Sequence, residues 1–259
     1  MSTEEELLFA RGEELLGRAR SGEITNTVFL TPGERKKLET HFSFAPGEWL
    51  FFGGYREAER TRMFFLPDYA REEEVREIFL AESFSETLCA VSVTGSGYRD
   101  LTHRDFLGSV LHLGLAREAV GDICVLSPRQ AVIFCGRLTA DFLLGELTFV
   151  GGDKVKTERF TPPPDFDGGA RRFESVCDTV ASPRADAVVA ALCHLSREKA
   201  QALFTAGQIE ADYEILEKNE KPLQAGTVLT VHGYGKFVLR ELSEPTRKGR
   251  IRLRADRYV

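Results

Sequence analysis

Cysteine is scarce in this chain and unpaired by spacing: Cys89, Cys124, Cys135, Cys177 and Cys193 contain no Cys-x-x-Cys. An odd count suits a reducing cytoplasm, where such residues serve as small buried apolar side chains. His41, His103, His112, His194 and His232 show no metal-ligand spacing among themselves or with the cysteines, so no metal is expected. No run approaches the ~18 apolar residues of a membrane span. The first residues, Thr3-Glu4-Glu5-Glu6, are acidic where a secretory signal or mitochondrial presequence would be basic. These absences lead to the expectation of a cytoplasmic protein with no membrane contact. What is present is globular. Apolar residues make up 42% and charged residues 29% of 259, outside the range of disordered chains, in a length that holds two or three modules.

An excess of positive charge is also missing. The 34 Lys/Arg and 40 Asp/Glu give a net charge of −6, which argues against a polyanion partner until the charge is divided along the chain. Residues 1–90 hold 11 basic against 18 acidic residues, net −7; residues 91–180 hold 10 against 12, net −2; residues 181–259 hold 13 against 10, net +3. Within the last segment, 236–259 holds eight basic residues against Glu241, Glu244 and Asp256, net +5. A partner feels the local field. The acidity is an amino-terminal property, and the basic carboxy-terminal end is a candidate for contact with nucleic acid.

Leu7, Leu8, Leu15 and Leu16 recur at near-helical spacing and predict a helix over 4–20. Thr31 as a cap, Pro32 in the first turn and Glu34 closing a capping box predict a second helix through Leu38. Two apolar runs, Trp49–Phe52 and Met63–Leu66, predict strands, with Gly53-Gly54-Tyr55 marking a tight bend. Thr87–Val93 reads as a strand, and Thr102-x-x-Asp105 caps a helix through Phe106, Leu107, Val110 and Leu111. Strands follow at Ile123–Leu126 and Ala131–Cys135, then a helix at Leu138–Gly145 and a closing strand at Leu147–Val150. That order is the split βαβ arrangement of ferredoxin-like and RNA-recognition-type domains. Residues 151–172, with Gly151-Gly152, Pro162-Pro163-Pro164 and Gly168-Gly169, read as a partly stiff linker. The expected fold class is therefore α+β and multidomain. It has an N-terminal α/β domain over 1–80, a central ferredoxin/RRM-like βαββαβ domain over 81–157, a Pro/Gly-rich linker over 158–181, and a compact unit with a basic tail over 182–259.

In that last unit Ser182 and Pro183 open a helix with Val188, Val189 and Leu192 on one face. Ser196 caps another whose apolar stripe is Ala200, Leu203 and Phe204, and Gly207 stands where a left-handed helix stop belongs. Short β segments, Ile209–Ala211 and Glu214–Leu216, are joined by Asp212-Tyr213, and a strand Thr227–Val231 follows. The series Arg184-x-Asp186, Ser196-Arg197-x-x-Ala200, Gly207-Gln208-Ile209 and Leu223-x-x-Gly226-Thr227 resembles the S4 RNA-binding domain over roughly 184–235. It departs from that pattern at Asp212-Tyr213, where an Asn-Gly turn is usual, and at Ala185, where a Leu is usual. Three further stretches extend the resemblance over nearly the whole chain, to the bacterial YlmH family. They are Phe52-Gly53-Gly54-Tyr55-x-x-Ala58-Glu59-Arg60, Leu101-Thr102-His103-Arg104-Asp105-Phe106-Leu107-Gly108, and Gly233-Tyr234-Gly235-Lys236-Phe237. The resemblance implies an RNA-binding-like central domain, a carboxy-terminal S4 domain, and association with large ribosomal subunits that still carry peptidyl-tRNA.

The residues themselves offer two RNA surfaces. On a helical wheel of the Ser196-capped helix, Arg197 and Gln201 flank the apolar stripe on one side and Lys199 on the other. They lie beside an amino end with free N–H groups and partial positive charge, a natural phosphate site. Arg184, Gln208 and Lys221 join Ser196 in that set. In the tail, Lys248, Arg250, Arg252 and Arg254 alternate with Ile251 and Leu253, which on a strand puts every cation on one face. With Lys236 and Arg240 they form a basic strip suited to a phosphate backbone. Both sets also fit ordinary surface charge, the tail as the solvent face of an edge strand where Lys and Arg discourage aggregation. Few aromatics are placed for stacking, Tyr234 excepted, so recognition of structured RNA by shape and backbone is expected. His103 and Arg104 are a secondary candidate, as readily part of a capped surface helix.

Catalytic readings find no support. Gly95-x-Gly97 lacks the third glycine of a dinucleotide loop. Gly136-Arg137-Leu138 imitates the Gly-Arg-Leu-Asp of pseudouridine synthases, but Thr139 follows and Asp141 comes two positions late. His112-Leu113-Gly114 matches part of a tRNA-synthetase signature without a Lys-Met-Ser-Lys-Ser partner. The expected function is a monomeric, non-enzymatic RNA-binding protein on the large ribosomal subunit, contacting rRNA and tRNA in quality control of stalled nascent chains, with no cofactor. The alternatives are an RNA-modifying enzyme of divergent pseudouridine-synthase type, and a protein-interaction adaptor linked to cell division.

Overall fold

The computed structural model describes residues 3–42, 47–71, 87–169, 173–244 and 249–258, and its contacts divide the chain into two units, Met1–Ala170 and Arg171–Val259. In the first, α1 (Thr3–Arg20) lays Leu15 and Ala19 against Leu38 of α2 (Pro32–His41). The Thr31 box forms as expected: Thr31 Oγ1 accepts from the Glu34 amide at 3.2 Å, and the Glu34 carboxylate accepts from the Thr31 amide at 2.7 Å. Strands β1 (Thr25–Asn26), β2 (Trp49–Phe52) and β3 (Arg62–Phe65) pair antiparallel in the order β1-β3-β2. Strand alternation sends Phe51, Met63 and Phe65 toward the helices, and Leu50, Phe52 and Phe64 to a second cluster with Phe29.

The βαββαβ unit follows: β4 (Cys89–Gly95), α3 (His103–His112), β5 (Val120–Ser127), β6 (Gln130–Cys135), α4 (Arg137–Glu146), β7 (Phe149–Val150) and β8 (Asp153–Phe160). The sheet order β5-β6-β4-β8-β7 puts the third strand between first and second, and the closing strand beside the first, as in ferredoxin-like folds. The closing strand is β8, which corrects the expected 147–150. Phe149–Val150 is the short arm of a hairpin that turns at Gly151-Gly152, with φ of 55° and 85°, into β8 along β4. Lys154, Lys156, Glu158 and Arg159 make β8 too polar to read as a strand from an apolar run.

Helices α3 and α4 cover one face of this sheet over Val91, Val93, Ile133, Phe106, Val110 and Leu143. The other face, Ala90, Cys124, Val132 and Phe134, is covered by Tyr55 from the amino-terminal part and by Phe166 from the proline-rich stretch. The Tyr55 ring lies 5.1 Å from Phe134, and Phe166 lies 5.5 Å from Tyr55 and 5.6 Å from Phe160. Gly54, at φ 105°, lets the backbone pass so close that a Cβ there would come within 2.3 Å of the Phe134 ring. Asp122 of β5 fixes the arrangement. Its carboxylate accepts from Tyr55 Oη at 2.7 Å and from the amides of Glu59 at 2.7 Å and Arg60 at 3.0 Å. Burial, and then the Asp122 charge, push the Tyr55 phenol far above its ordinary value, so it remains a donor. The segments expected as separate domains over 1–80 and 81–157 thus share one unit.

The 158–181 stretch is not a linker throughout. Its start belongs to β8, Phe166 packs on the sheet, and its end is β9 (Phe173–Val180) of the second unit. That unit continues with α5 (Ala185–Leu192), α6 (Arg197–Thr205), β10 (Ile209–Ala211), β11 (Glu214–Ile215), β12 (Val228–Val231), β13 (Gly235–Leu242) and β14 (Ile251–Tyr258). All its strands are antiparallel in the order β11-β10-β12-β13-β14-β9. Both helices pack on one face, over Leu229, Phe237, Leu239, Leu253 and Ala255. Helix α5 starts later than expected from Ser182-Pro183: Arg184 is its N-cap, and carbonyls of the 219–221 loop accept from the amides of Ala185 (3.0 Å) and Asp186 (2.8 Å). The Asp212-Tyr213 turn holds both residues left-handed, at φ 51° and 68°, as a two-residue hairpin demands, and Asp212 accepts from the Val228 amide at 2.9 Å.

Because Asp122 satisfies three donors in a part-buried site, Asp122→Ala is expected to lower the urea-unfolding free energy by about 2–4 kcal/mol, and Tyr55→Phe by about 1 kcal/mol. Chemical denaturation of the full chain measures both. Equal and near-zero losses would mean that this junction does not hold the unit together.

Candidate nucleic-acid interface

The exposed amino end of α6 is built as the wheel predicts. Ser196 accepts from the Lys199 amide at 3.3 Å. Ala200 and Phe204 are buried while Ser196, Arg197, Lys199 and Gln201 are exposed. Neither Arg197 nor Lys199 forms an ion pair with a described residue, and the helix adds partial positive charge at that end. Gln208 is exposed just past the helix stop, where its carbonyl accepts from the His232 amide at 3.0 Å. Lys221 is also exposed; its carbonyl is one of the two that accept from the first amides of α5.

Arg184 differs from its expected part. Its guanidinium grips Asp186 with two bonds of 3.1 Å and lies 3.8 Å from Glu220. The Asp186 side chain is 4% exposed, that of Arg184 42%. Burial opposes ionisation of Asp186. The Arg184 fork, the Ala187 amide and the Arg197 charge outweigh it and hold the carboxyl below the usual range. Arg184 is thus a structural partner first, and Arg197 is the freer cation.

The tail residues lie on the other face of the sheet. On β14, Ile251, Leu253 and Ala255 are buried beneath the helices while Arg252 and Arg254 are exposed. Their cross-strand neighbours on β9 are Thr179 and Cys177, and neither arginine pairs with a described acid. The rest of the strip is partly engaged. Arg240 bonds Asp256 at 2.7 Å, and Arg250 turns back to Thr179, at 2.9 Å to its hydroxyl and 2.6 Å to its carbonyl. Lys236 lies over the rings of Tyr213 (5.0 Å) and Tyr258 (4.9 Å). Tyr234, 37% exposed, is in the β12–β13 turn, and its carbonyl accepts from Arg257 at 2.9 Å. Lys248 lies outside the described residues. The fold therefore separates the sequence-predicted residues into a helix-side set and a sheet-side set on opposite faces. One shallow groove of about 390 Å³ does bring Arg197 and Arg250 together, between α5 (Ala187, Ala190) and the end of β9 (Asp178).

In the central domain His103 and Arg104 are exposed in the first turn of α3, whose Thr102–Asp105 box closes as expected. Partial desolvation, and secondarily the Arg117 charge, lower His103 below the usual imidazole range, so it is mostly neutral at pH 7 and a poorer phosphate ligand than Arg104. The sheet face on which an RNA-recognition domain stacks bases is filled by Tyr55 and Phe166. Sequence reasoning missed Phe173 and Tyr258, which form an edge-to-face pair 5.0 Å apart on the sheet-side surface. The alternation Phe173-x-Ser175-x-Cys177-x-Thr179 was the available signal, obscured by the neighbouring prolines and glycines.

The two arginines are separable by experiment. Asp186 has a folded pKa below its unfolded value near ~4, so its contribution is present above that pH and is lost as pH falls through the folded pKa. Arg184→Ala is expected to lower the melting temperature at pH 7 and flatten the acid limb of the stability curve. Arg197→Ala should change melting little and RNA affinity strongly. Unchanged melting of Arg184→Ala across pH 3–7 would contradict this division.

Among known proteins, residues 81–162 match the family model described as "Putative RNA-binding domain in YlmH". The chain is 31% identical over 231 residues to the "Ribosome-associated protein quality control protein P2" of Bacillus subtilis (strain 168), covering 89% of this chain and 86% of the relative. A solved structure, "Cell division protein ylmH from Streptococcus pneumoniae", is similar with a TM-score of 0.49 at 19% identity, over 62% of this chain and 93% of that one. The central βαββαβ unit matched by the family model, and an identity that runs through both structural units, place this chain in the YlmH family.

Proposed function

We propose that this chain is a non-enzymatic RNA-binding protein that associates with the large ribosomal subunit and contacts rRNA and peptidyl-tRNA in quality control of stalled nascent chains. In this reading its carboxy-terminal unit is an S4-type RNA-binding domain, and the protein acts as a monomer in the cytoplasm. The observation that carries it is the α6 amino end, where Arg197 and Lys199 stand exposed and without an ion pair to any described residue. The name of the Bacillus subtilis relative supports the ribosomal setting. The family description of residues 81–162 supports contact with RNA.

The chemistry is that of holding. A phosphate at the first turn of α6 meets outward amides, the Lys199 charge and the planar Arg197 fork, which fits two phosphate oxygens at once. Gln201, Gln208 and Lys221 extend contact along the backbone without reading bases. The packed stripe of Ala200, Leu203 and Phe204 sets the angle at which this end meets RNA. The net −7 of residues 1–90 opposes indiscriminate RNA binding, which leaves the carboxy-terminal unit to choose where the protein binds.

Sedimentation of the tagged protein with lysate on gradients is expected to place it in large-subunit fractions at low salt and to release it at high salt. Arg197→Ala/Lys199→Ala should weaken binding at least ~10-fold and reduce the slope of log affinity against log salt by roughly 1–2. Absence from those fractions at every salt concentration would sink the proposal, and RNA crosslink mapping of the bound fraction identifies the elements touched.

A further inference from the structure

We infer that the helix-free face of the carboxy-terminal sheet is a second RNA surface, one that takes a single-stranded segment by stacking. This rests on the reading that the chain binds RNA, and it concerns residues on the opposite face from Arg197 and Lys199. Open sheet faces are usually polar, yet this one carries Phe173, 39% exposed, packed edge-to-face on Tyr258 with ring centroids 5.0 Å apart. Cations frame the pair: the Arg240 guanidinium lies 5.7 Å over Phe173, and Lys236 lies 4.9 Å over Tyr258 and 5.0 Å over Tyr213. From there β14 runs outward through Arg254 and Arg252.

The register explains how charge and rings come to share one track. Cross-strand rows on this face join Tyr258 to Phe173, Asp256 to Ser175, Arg254 to Cys177 and Arg252 to Thr179. Edge strand β9 thus contributes no acid to the track, because Glu174 and Asp178 pair with Arg257 and Leu253 on the helix side. Of the acids on this face, Asp256 is bonded by Arg240 at 2.7 Å and Glu210 lies 3.1 Å from His232; Glu241 is opposite Arg254. From Phe173 to Thr179 the strand extends about 20 Å, long enough for a few nucleotides. Rings at one end and, at the other, guanidinium groups with no ion pair to a described residue are what an unstructured strand needs, since every base offers a π-face and every linkage a phosphate. A duplex hides its base faces and gains nothing from the rings.

The test uses the full chain and two labelled RNAs, a ten-nucleotide uridine oligomer and a stable hairpin, in fluorescence anisotropy. Arg252→Ser/Arg254→Ser and Tyr258→Ala are each expected to weaken oligomer binding about fivefold or more, while hairpin affinity changes less than twofold. Tyr258→Phe should keep oligomer binding, because the ring and not the hydroxyl is needed, and melting curves separate lost stacking from lost folding in Tyr258→Ala. Arg197→Ala/Lys199→Ala should show the reverse pattern. Oligomer binding unchanged by the sheet-face variants, with hairpin binding lost on Arg197→Ala/Lys199→Ala, would overturn this inference and leave the helix site standing. Loss on the sheet face with no effect at α6 would do the opposite. No binding of either RNA by the wild type would overturn both.

Discussion

The five-stranded sheet of the βαββαβ unit has two faces and only two helices, both on the same side. The second face of this sheet bears Ala90, Cys124, Val132 and Phe134, and leaving such surface in water costs about 25 cal/mol for each Å². The protein covers it with its own chain, and Asp122 is the bolt. One carboxylate collects the Tyr55 hydroxyl and two successive amides, so the Gly53–Arg60 bend can lie in one place only. On the same face Gly54 lets the backbone pass close to Phe134, and Phe166 packs beside Tyr55.

The cover has a functional consequence. An RNA-recognition domain stacks bases on the face that is filled here, so the central unit of this chain keeps the βαββαβ topology with that platform occupied. In the function proposed above, RNA contact then falls to surfaces that stay open. The carboxy-terminal unit supplies them because its helices cover one face of a longer sheet and nothing among the described residues of that unit covers the other. Its cations divide accordingly. Arg197 and Lys199 stand at a helix end where an extended polyanion gains from the dipole, Arg252 and Arg254 project from the sheet, and Arg184 is spent on buried Asp186.

Much of this was legible in the sequence where a local rule decides structure. Thr31, Thr102 and Ser196 were readable as caps because the capping residue and its partner lie three positions apart. The βαββαβ order was readable because most of its strands are short apolar runs. Strands β8 and β9 were not. In β8 the Lys and Glu of the solvent side dominate the composition, and β9 follows a stretch whose prolines and glycines signal a loop. The Arg184–Asp186 grip was hidden because only the fold says that Asp186 is buried. The ring pair of Phe173 and Tyr258 depends on pairing between residues 85 apart in the chain, which no local pattern contains. The same holds for Asp122 and Tyr55, joined across 67 residues.

In the proposed function the carboxy-terminal unit meets RNA while the covered face of the central sheet does not. Hydroxyl-radical footprinting of the full chain with and without large ribosomal subunits tests it most directly. Arg197, Lys199 and Gln201 are expected to be protected on binding, with Tyr55, Phe134 and Phe166 equally shielded in both states. Protection confined to the central domain, or exposure of Tyr55 and Phe166 on binding with Arg197 and Lys199 unchanged, would contradict it.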